Sequence, residues 1–246
     1  MKVLGIDIGG SAFKGAPVNT RTGRLLAERH RVEVDSPCPT GQGVAAVRAI
    51  VRHFQWKGPV SLGFPGIIKD NRIGAVGNLG ANLEGKNGAV VFRRATGGRV
   101  RLFNDADSAG LAEMKFGAGR GEQGTVLLLT FGTGIGSALF YRGQLFPNSE
   151  LGFVPWRGKP FERFAAAAVR KRRGLTWPEW ARRVNVYLGV MERLFSPELI
   201  IVGGGVSKKA DKWLKFIKTR ARVVPARMHN DAGIAGAALA WELGRR

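Results

Sequence analysis

At 246 residues, with 44% hydrophobic and 9% aromatic content, the chain has the make-up of a globular protein of one large domain or two modest ones, which excludes wholesale disorder. Its 39 Lys plus Arg against 18 Asp plus Glu give a formal net charge of +21. Such a field favours a polyanionic partner, whether nucleic acid, an anionic membrane surface or a polyphosphate chain, although arginine-rich solvated faces produce the same excess.

The chain opens on a short apolar strand, Lys2 to Ile8, without the uninterrupted apolar stretch of a signal peptide. Strands are predicted at Ala12 to Val18 and Leu25 to Val34, separated by Gly9-Gly10 and by Thr20-Arg21-Thr22-Gly23. Cys38, the single cysteine, can form no internal disulfide, and no CxxC pair exists to hold zinc, so a cytoplasmic location is expected. A helix over Gly43 to Phe54 follows from the spacing of Val44, Val47, Ile50, Val51 and Phe54. Next come a strand at Val60 to Phe64, a hairpin around Ile67 to Val76, a helix near Ala89 to Thr96 and a strand at Arg99 to Phe103. Asp105 to Phe116 reads as a helix capped by Asn104. Strands then start again at Thr125 to Phe131 and Ile135 to Tyr141. Two helices follow, the better marked running from Trp177 to Phe195, with Thr176 as N-cap, Pro178 in the first turn and Glu179 three residues after the cap. A buried-looking strand, Leu199 to Val202, leads into Gly203-Gly204-Gly205. A basic amphipathic helix is expected over Lys208 to about Arg220, and a last helix from Ala232 to Leu243. No run approaches the ~20 apolar residues of a membrane span, so no membrane partner is expected.

Four segments carry candidate chemistry. Asp7 ends the first strand, and Gly9, Gly10 and Ser11 form the turn behind it, where backbone amides can approach a phosphate and form an anion nest. Asp7 could orient magnesium through water, and Lys14 could offset phosphate charge; an ordinary glycine-rich hairpin gives the same pattern. Asp105 lies between a strand and a helix, in Asn104-Asp105-Ala106-Asp107, as either capping material or the base that accepts the proton of an attacking hydroxyl. Thr133, Gly134 and Gly136 belong to a second hairpin of the same design, and Gly204 and Gly205 to a third close-approach turn. None of these spacings fits a P-loop or the dinucleotide fingerprint.

Taken together and in order, the segments resemble the ROK family of sugar kinases, and within it the bacterial polyphosphate glucokinases and glucomannokinases. The likeness rests on the opening Asp-x-Gly-Gly-Ser-x-x-Lys, Gly63-Phe64-Pro65-Gly66, Asn104-Asp105-Ala106-Asp107, Phe116 to Gly121, Leu129 to Phe140 and Gly203 to Lys209. It implies an α/β fold of two actin-like, ribonuclease H-like lobes with a central cleft. The first lobe would span 1–107, the second 108–229, and the helix at 230–246 would fold back on the first. It further implies Asp105 as catalytic base, Asp7, Gly9, Gly10, Ser11 and Lys14 facing phosphates, and Thr133, Gly134, Gly136, Gly204 and Gly205 along the donor. Sugar hydroxyls would meet Asn78, Asn104, Asp105 and Glu150, with Mg2+ as cofactor, and a homodimer is compatible with the family.

Two departures stand out. The family's Glu-x-Gly is followed by a sugar-contacting His and soon by another acid, whereas this chain reads Glu150-Leu151-Gly152-Phe153-Val154-Pro155, which should alter selectivity at one end of the hexose. The cysteine-rich zinc motif is also missing, so no structural zinc is expected. Lys208, Lys212, Lys215, Lys218 and Arg222 fall along one side of the expected basic helix as a cationic stripe, and with the resemblance this favours inorganic polyphosphate as donor beside ATP. Two other readings stay open: a sugar-binding protein without turnover, and a basic nucleic-acid binder. The family's repressors carry a helix-turn-helix ahead of the phosphate motif, and that motif starts here at Gly5, so no specific nucleic acid is expected.

Overall fold

The computed structural model describes residues 1–76 and 81–243. In chain order it contains β1 (Lys2–Ile8), β2 (Ala12–Asn19), β3 (His30–Glu33), α1 (Thr40–His53), β4 (Val60–Phe64), β5 (Gly66–Lys69), β6 (Arg72–Val76), α2 (Gly88–Thr96), β7 (Val100–Asn104) and α3 (Asp105–Phe116). There follow β8 (Thr125–Phe131), β9 (Ile135–Tyr141), β10 (Gln144–Phe146), β11 (Pro155–Trp156), β12 (Lys159–Pro160), α4 (Glu162–Ala165), α5 (Ala167–Arg172), α6 (Trp177–Phe195), β13 (Leu199–Gly203), α7 (Ala210–Trp213), β14 (Arg222–Pro225) and α8 (Ala232–Leu243). Among the described residues no helix is long and apolar enough to cross a membrane.

The chain divides into two compact units, Met1–Ala112 with Asn230–Arg246, and Glu113–His229. The division falls inside α3, after Ala112 rather than at residue 107, because the last turn of that helix belongs with the loop behind it.

In the first unit the sheet order is β3-β2-β1-β4-β7. The β1–β2 and β2–β3 pairs are antiparallel, while β4 and β7 join in parallel. Parallel strands need a crossover, and a sheet covered on its faces buries its strands throughout; every residue of β4 is accordingly buried. The third strand is shorter than the sequence predicts: Leu25 makes only an isolated bridge to Val18, and regular pairing begins at His30. One core gathers Leu4, Ile6, Phe13, Val47, Ile50, Leu62 and Phe92. The helix α8 is apolar all round and buried along most of its length, as expected of a helix in a core rather than on a surface. It packs on β1 and β4. Small residues permit that: a Cβ on Gly5 of β1 would lie 2.1 Å from the Ile234 carbonyl oxygen, and one on Gly236 would lie 1.6 Å from the Ser108 carbonyl oxygen of α3.

The second unit repeats the plan, with sheet order β10-β9-β8-β13-β14. Its β8–β9 and β9–β10 pairs are antiparallel, and β13 and β14 are added in parallel. The helix α6 covers this sheet, started by a complete capping box between Thr176 and Glu179 and burying Trp180, Val184, Tyr187, Leu188 and Met191. Trp180 and Tyr187 both meet Phe131 edge-to-face.

The expected basic helix over 208–220 does not form. The segment is a 3-10 turn (Ser207–Lys209), the single turn α7, a second 3-10 turn (Leu214–Phe216) and an irregular stretch. Tertiary contacts pull it out of helical geometry. Trp213 is fully buried with its Nε1 donating to the Val206 carbonyl, and Asn185 on α6 both donates to the Phe216 carbonyl and accepts the Lys218 N–H. Lys208, Lys212, Lys215, Lys218 and Arg222 are exposed, yet they lie on different local structures and make no helical stripe.

Candidate functional site

In the first unit, strand register assembles the candidate residues. Asp7 stands opposite Gly63 across the parallel β1–β4 pair, and Gly63 stands opposite Phe103 across β4–β7. The carboxyl ends of three parallel strands therefore share one edge, the place where open α/β sheets present ligand sites. Asp105 begins α3 at that edge, and a Cβ on Gly63 would sit 3.7 Å from the Asp105 Cα. Asp105 is half-buried, with its Oδ1 accepting the Ala106 N–H at 2.8 Å. Asn104 holds the helix start: its Oδ1 caps the Asp107 N–H at 2.9 Å and its Nδ2 donates to the Gly66 carbonyl at 3.0 Å. Two acids in the first turn, Asp105 and Asp107, face the positive end of the helix dipole.

Asp7 is half-buried and lies opposite Lys14 on β2. Burial pushes its carboxyl above the ordinary aspartate value, and the Lys14 ammonium pulls it partly back. The start of α8 closes over it, since a Cβ on Gly233 would lie 2.7 Å from the Asp7 Cγ. The turn between β1 and β2 exposes Gly10 and Ser11, and the Gly9 N–H is tied to the Ala12 carbonyl. Asn78 lies outside the described residues.

In the second unit the equivalent strand ends carry the other two glycine turns. Thr130 pairs with Gly136 on β9 and with Gly203 on β13, so the β8–β9 hairpin tip and the 203–205 turn are neighbours. Thr133 is exposed at the tip. Gly204 adopts φ +78°, and a Cβ there would come 2.5 Å from the Phe131 carbonyl oxygen, so only glycine serves. At Gly205 a Cβ would meet nothing within 4 Å, leaving that backbone open. Lys208 and Lys212 follow this turn and are exposed.

The Glu150 segment is bound to the same hairpin through Ser137. Its Oγ accepts the Leu151 N–H at 2.9 Å and donates to the Ser149 carbonyl. Glu150, half-buried, precedes the 3-10 turn Leu151–Phe153. Phe153, at the position where the family pattern has His, is 56% exposed, so no apolar core demands a phenyl ring there.

Sequence reasoning missed Glu162. Its Oε2 accepts the Ile135 N–H at 3.2 Å and fills the space where a Cβ on Gly134 would stand, so it braces the hairpin tip from behind. The Ala168 N–H, donated to the Gly132 carbonyl at 3.0 Å, braces the other side. No motif marks Glu162, because the amide it holds is 27 residues away. Among the described residues no cluster of three or more His, Cys, Asp and Glu is placed to hold a metal ion.

A model of the ROK family matches residues 3–153. A polyphosphate glucokinase of Mycobacterium tuberculosis is 40% identical over 238 residues, covering 96% of this chain and 90% of that protein. The polyphosphate glucokinase of Mycobacterium leprae is 37% identical over 238 residues, covering 96% and 74%. Among solved structures, the inorganic polyphosphate/ATP-glucomannokinase of Arthrobacter sp. strain KM has a TM-score of 0.95 at 41% identity, with 99% of each chain covered. A ROK family glucokinase from Streptomyces griseus, solved with glucose and AMPPNP, shares the fold with a TM-score of 0.80 at 24% identity, covering 97% and 98%. The α/β fold of two actin-like units is thus the one the sequence resemblance implies.

Proposed function

Because the chain belongs to the ROK family, we propose that it is a hexose kinase, transferring a phosphoryl group from polyphosphate, and from ATP, to the 6-hydroxyl of glucose or a related hexose. The observation that carries this reading is the shared strand edge of the first unit, where Asp105 heads α3 beside the end of β4 and Asp7 stands in register with it.

In this reading Asp105 accepts the proton of the attacking hydroxyl. It lies at the positive end of the α3 dipole, and Asn104 fixes the helix start from which it projects. Gly10 and Ser11 offer backbone amides to phosphate oxygens, Gly9, whose own N–H is held by the Ala12 carbonyl, leaves the turn without a side chain, and Lys14 offsets phosphate charge. Thr133, Gly134 and Gly136 hold the donor, with Gly204 and Gly205 alongside, and Lys208 and Lys212 extend the basic approach to that turn. Glu150, Asn104 and Asn78 meet sugar hydroxyls. These positioned donors, more than any covalent chemistry, lower the barrier to phosphoryl transfer.

Asp7 suits a magnesium ion held through water. A desolvated carboxylate opposed by a single ammonium gains from a nearby cation, and magnesium keeps most of its ligands as water and donor oxygens rather than needing a protein cage. When bound, the ion would neutralise charge on the donor phosphates. The expected setting is cytoplasmic, and a homodimer is compatible with the reading.

The test is a panel of hexoses and amino sugars incubated separately with ATP and with long-chain polyphosphate, scored for sugar phosphate, in the parent protein and in Asp105→Asn. Turnover that Asp105→Asn removes while sugar affinity persists supports the assignment. Turnover unaffected by Asp105→Asn refutes Asp105 as the base, and a parent protein that binds sugar with no turnover refutes the kinase.

A further inference from the structure

A cavity of about 660 Å³ opens in the first unit. It is lined by Arg99 and Val100, where β7 begins, whereas Asp105 follows the end of β7. The cavity thus sits at the opposite edge of the parallel strands from the candidate reacting groups. Its size lies in the range of small-ligand sites.

The lining is basic. Arg93 comes from the last turn of α2, Arg99 from the residue before β7 and Arg101 from β7 itself, and no Asp or Glu is among the lining residues. Arg93 and Arg99 are exposed, free to turn toward a ligand. Arg101 is held in place: its Nη1 donates to the Trp241 carbonyl at 3.0 Å and its guanidinium lies 4.6 Å from the centroid of the Trp241 ring. Such a pre-positioned fork loses little freedom on binding an oxyanion. Asn71 adds a donor, since its Oδ1 accepts the Leu102 N–H at 2.8 Å and its amide NH2 remains. Gly97 and Gly98 give a floor without side chains, where a Cβ would meet nothing within 4 Å.

Three guanidinium forks and an amide donor, with no acid to satisfy them, call for a ligand with many acceptor oxygens and several negative charges. One carboxylate could not occupy them; about three linked phosphates could, each taking a bidentate arginine. Trp241 is only 5% exposed and already stacked by Arg101, so it offers no open face to a nucleobase. The geometry points to a second oligophosphate site in this cavity, recognising a linear run of phosphate groups and not a nucleoside. The site stands independently of the phosphotransfer reading. If both hold, a long polyphosphate is also held away from the reacting end, which raises its local concentration.

The test is calorimetric titration of the full chain with inorganic tripolyphosphate, ATP and adenosine. Arg93→Gln/Arg99→Gln removes two lining charges. Arg48→Gln/Arg52→Gln, on exposed positions of α1 that do not line the cavity, removes the same net charge elsewhere. One tripolyphosphate site should weaken tenfold or more in the first variant and stay within twofold in the second, with hexose phosphorylation from ATP unchanged in both. Tripolyphosphate that matches or outcompetes ATP supports recognition of the phosphate run itself. Equal losses in the two variants leave only the general basic field and overturn the site, as does binding of adenosine alone in the cavity.

Discussion

Glu113 makes the sharpest test of how the second unit holds together. It is 0% exposed, and no cationic side chain pairs with it among the described residues. Its carboxylate is solvated by backbone instead: Oε2 accepts the N–H groups of Ala118 at 2.8 Å and Arg227 at 3.1 Å, and Oε1 accepts that of Met228 at 2.7 Å. The side chain thereby ties the turn after α3 to the segment following β14. Glu113→Ala removes all three bonds. Hydrogen bonds to a charged group contribute about 1.5–3 kcal/mol each, but these amides belong to partly exposed residues that water can reach, so a net loss of about 3–5 kcal/mol is expected. Glu113→Gln keeps one oxygen, able to serve the Ala118 and Arg227 amides, and turns an NH2 toward the Met228 N–H; its loss should be about 1–2 kcal/mol. Urea unfolding followed by circular dichroism gives the ranking, and thermal midpoints should fall by roughly 2–4 °C per kcal/mol. A loss under ~1 kcal/mol for Glu113→Ala, or equal losses in the two variants, refutes the view that this carboxylate clamps the two segments.

Asp7 has its folded pKa raised by burial, with Lys14 opposing. Such an acid stabilises the fold below its unfolded value near 3.8 and loses that contribution as pH rises through the folded value. Asp7→Asn should therefore melt higher than the parent at neutral pH, with the gain vanishing toward pH 3.8, and lose phosphotransfer; a gain independent of pH refutes the desolvation argument. Gly204→Ala, at φ +78° and 2.5 Å from the Phe131 carbonyl oxygen, should cost about 1–3 kcal/mol in urea unfolding, and a cost under half of that lower figure rejects the strain. Among the described residues the Tyr187 hydroxyl is buried without a hydrogen-bond partner, and burial drives its pKa far up, so Tyr187→Phe should be neutral or stabilise by about 1 kcal/mol; a clear drop in melting temperature shows a partner. Phe153→His should change kcat/KM between glucose and its epimers by about tenfold, measured across the hexose panel, and an unchanged ratio removes this position from sugar selection.

The elements that read correctly are those whose local pattern and tertiary role agree. The capping box at Thr176 and the apolar spacing that follows give α6 its observed limits, Trp177–Phe195, and the Ala-rich run 232–243 gives α8. The segment 208–220 fails because its alternation of Lys with Ala, Leu and Ile is helical only in isolation. Burial of Trp213 and the two-sided grip of Asn185 override it. The strands β11 and β12 went unread, and the less marked helix expected ahead of α6, which has no limits in the sequence pattern, is two short pieces, α4 and α5, because these elements are too short for periodicity and are fixed by an aromatic cluster of Trp156, Phe161 and Phe164. The site divides in the same way. The candidates Asp7, Asp105 and the glycine turns are legible because each lies within a short contiguous motif of its own. Glu162 and Glu113 are not, because the amides they hold arrive from distant stretches of chain. Within the motif Phe116 to Gly121, a Cβ on Gly117 would lie 2.0 Å from the Glu113 Oε2, so that glycine makes room for a buried carboxylate.

The disposition of acids explains why the basic surplus stays uncompensated. Glu113, Glu162 and Glu192 all turn their carboxylates to backbone amides, Glu192 accepting the Arg220 and Ala221 N–H groups at 2.6 and 2.8 Å. Acids used in this way lower the net charge but neutralise no particular arginine. Surface pairs such as Arg31–Glu33 are exposed and contribute little. With only 18 acids against 39 basic residues, assigning several of them to the interior leaves most arginines and lysines to solvent. The positive field is then a consequence of how the fold satisfies its own amides as well as of composition, and it remains available to a polyanion. Donor binding by a chain of phosphates should accordingly weaken steeply with salt, more so than binding of ATP, because a longer run displaces more counterions.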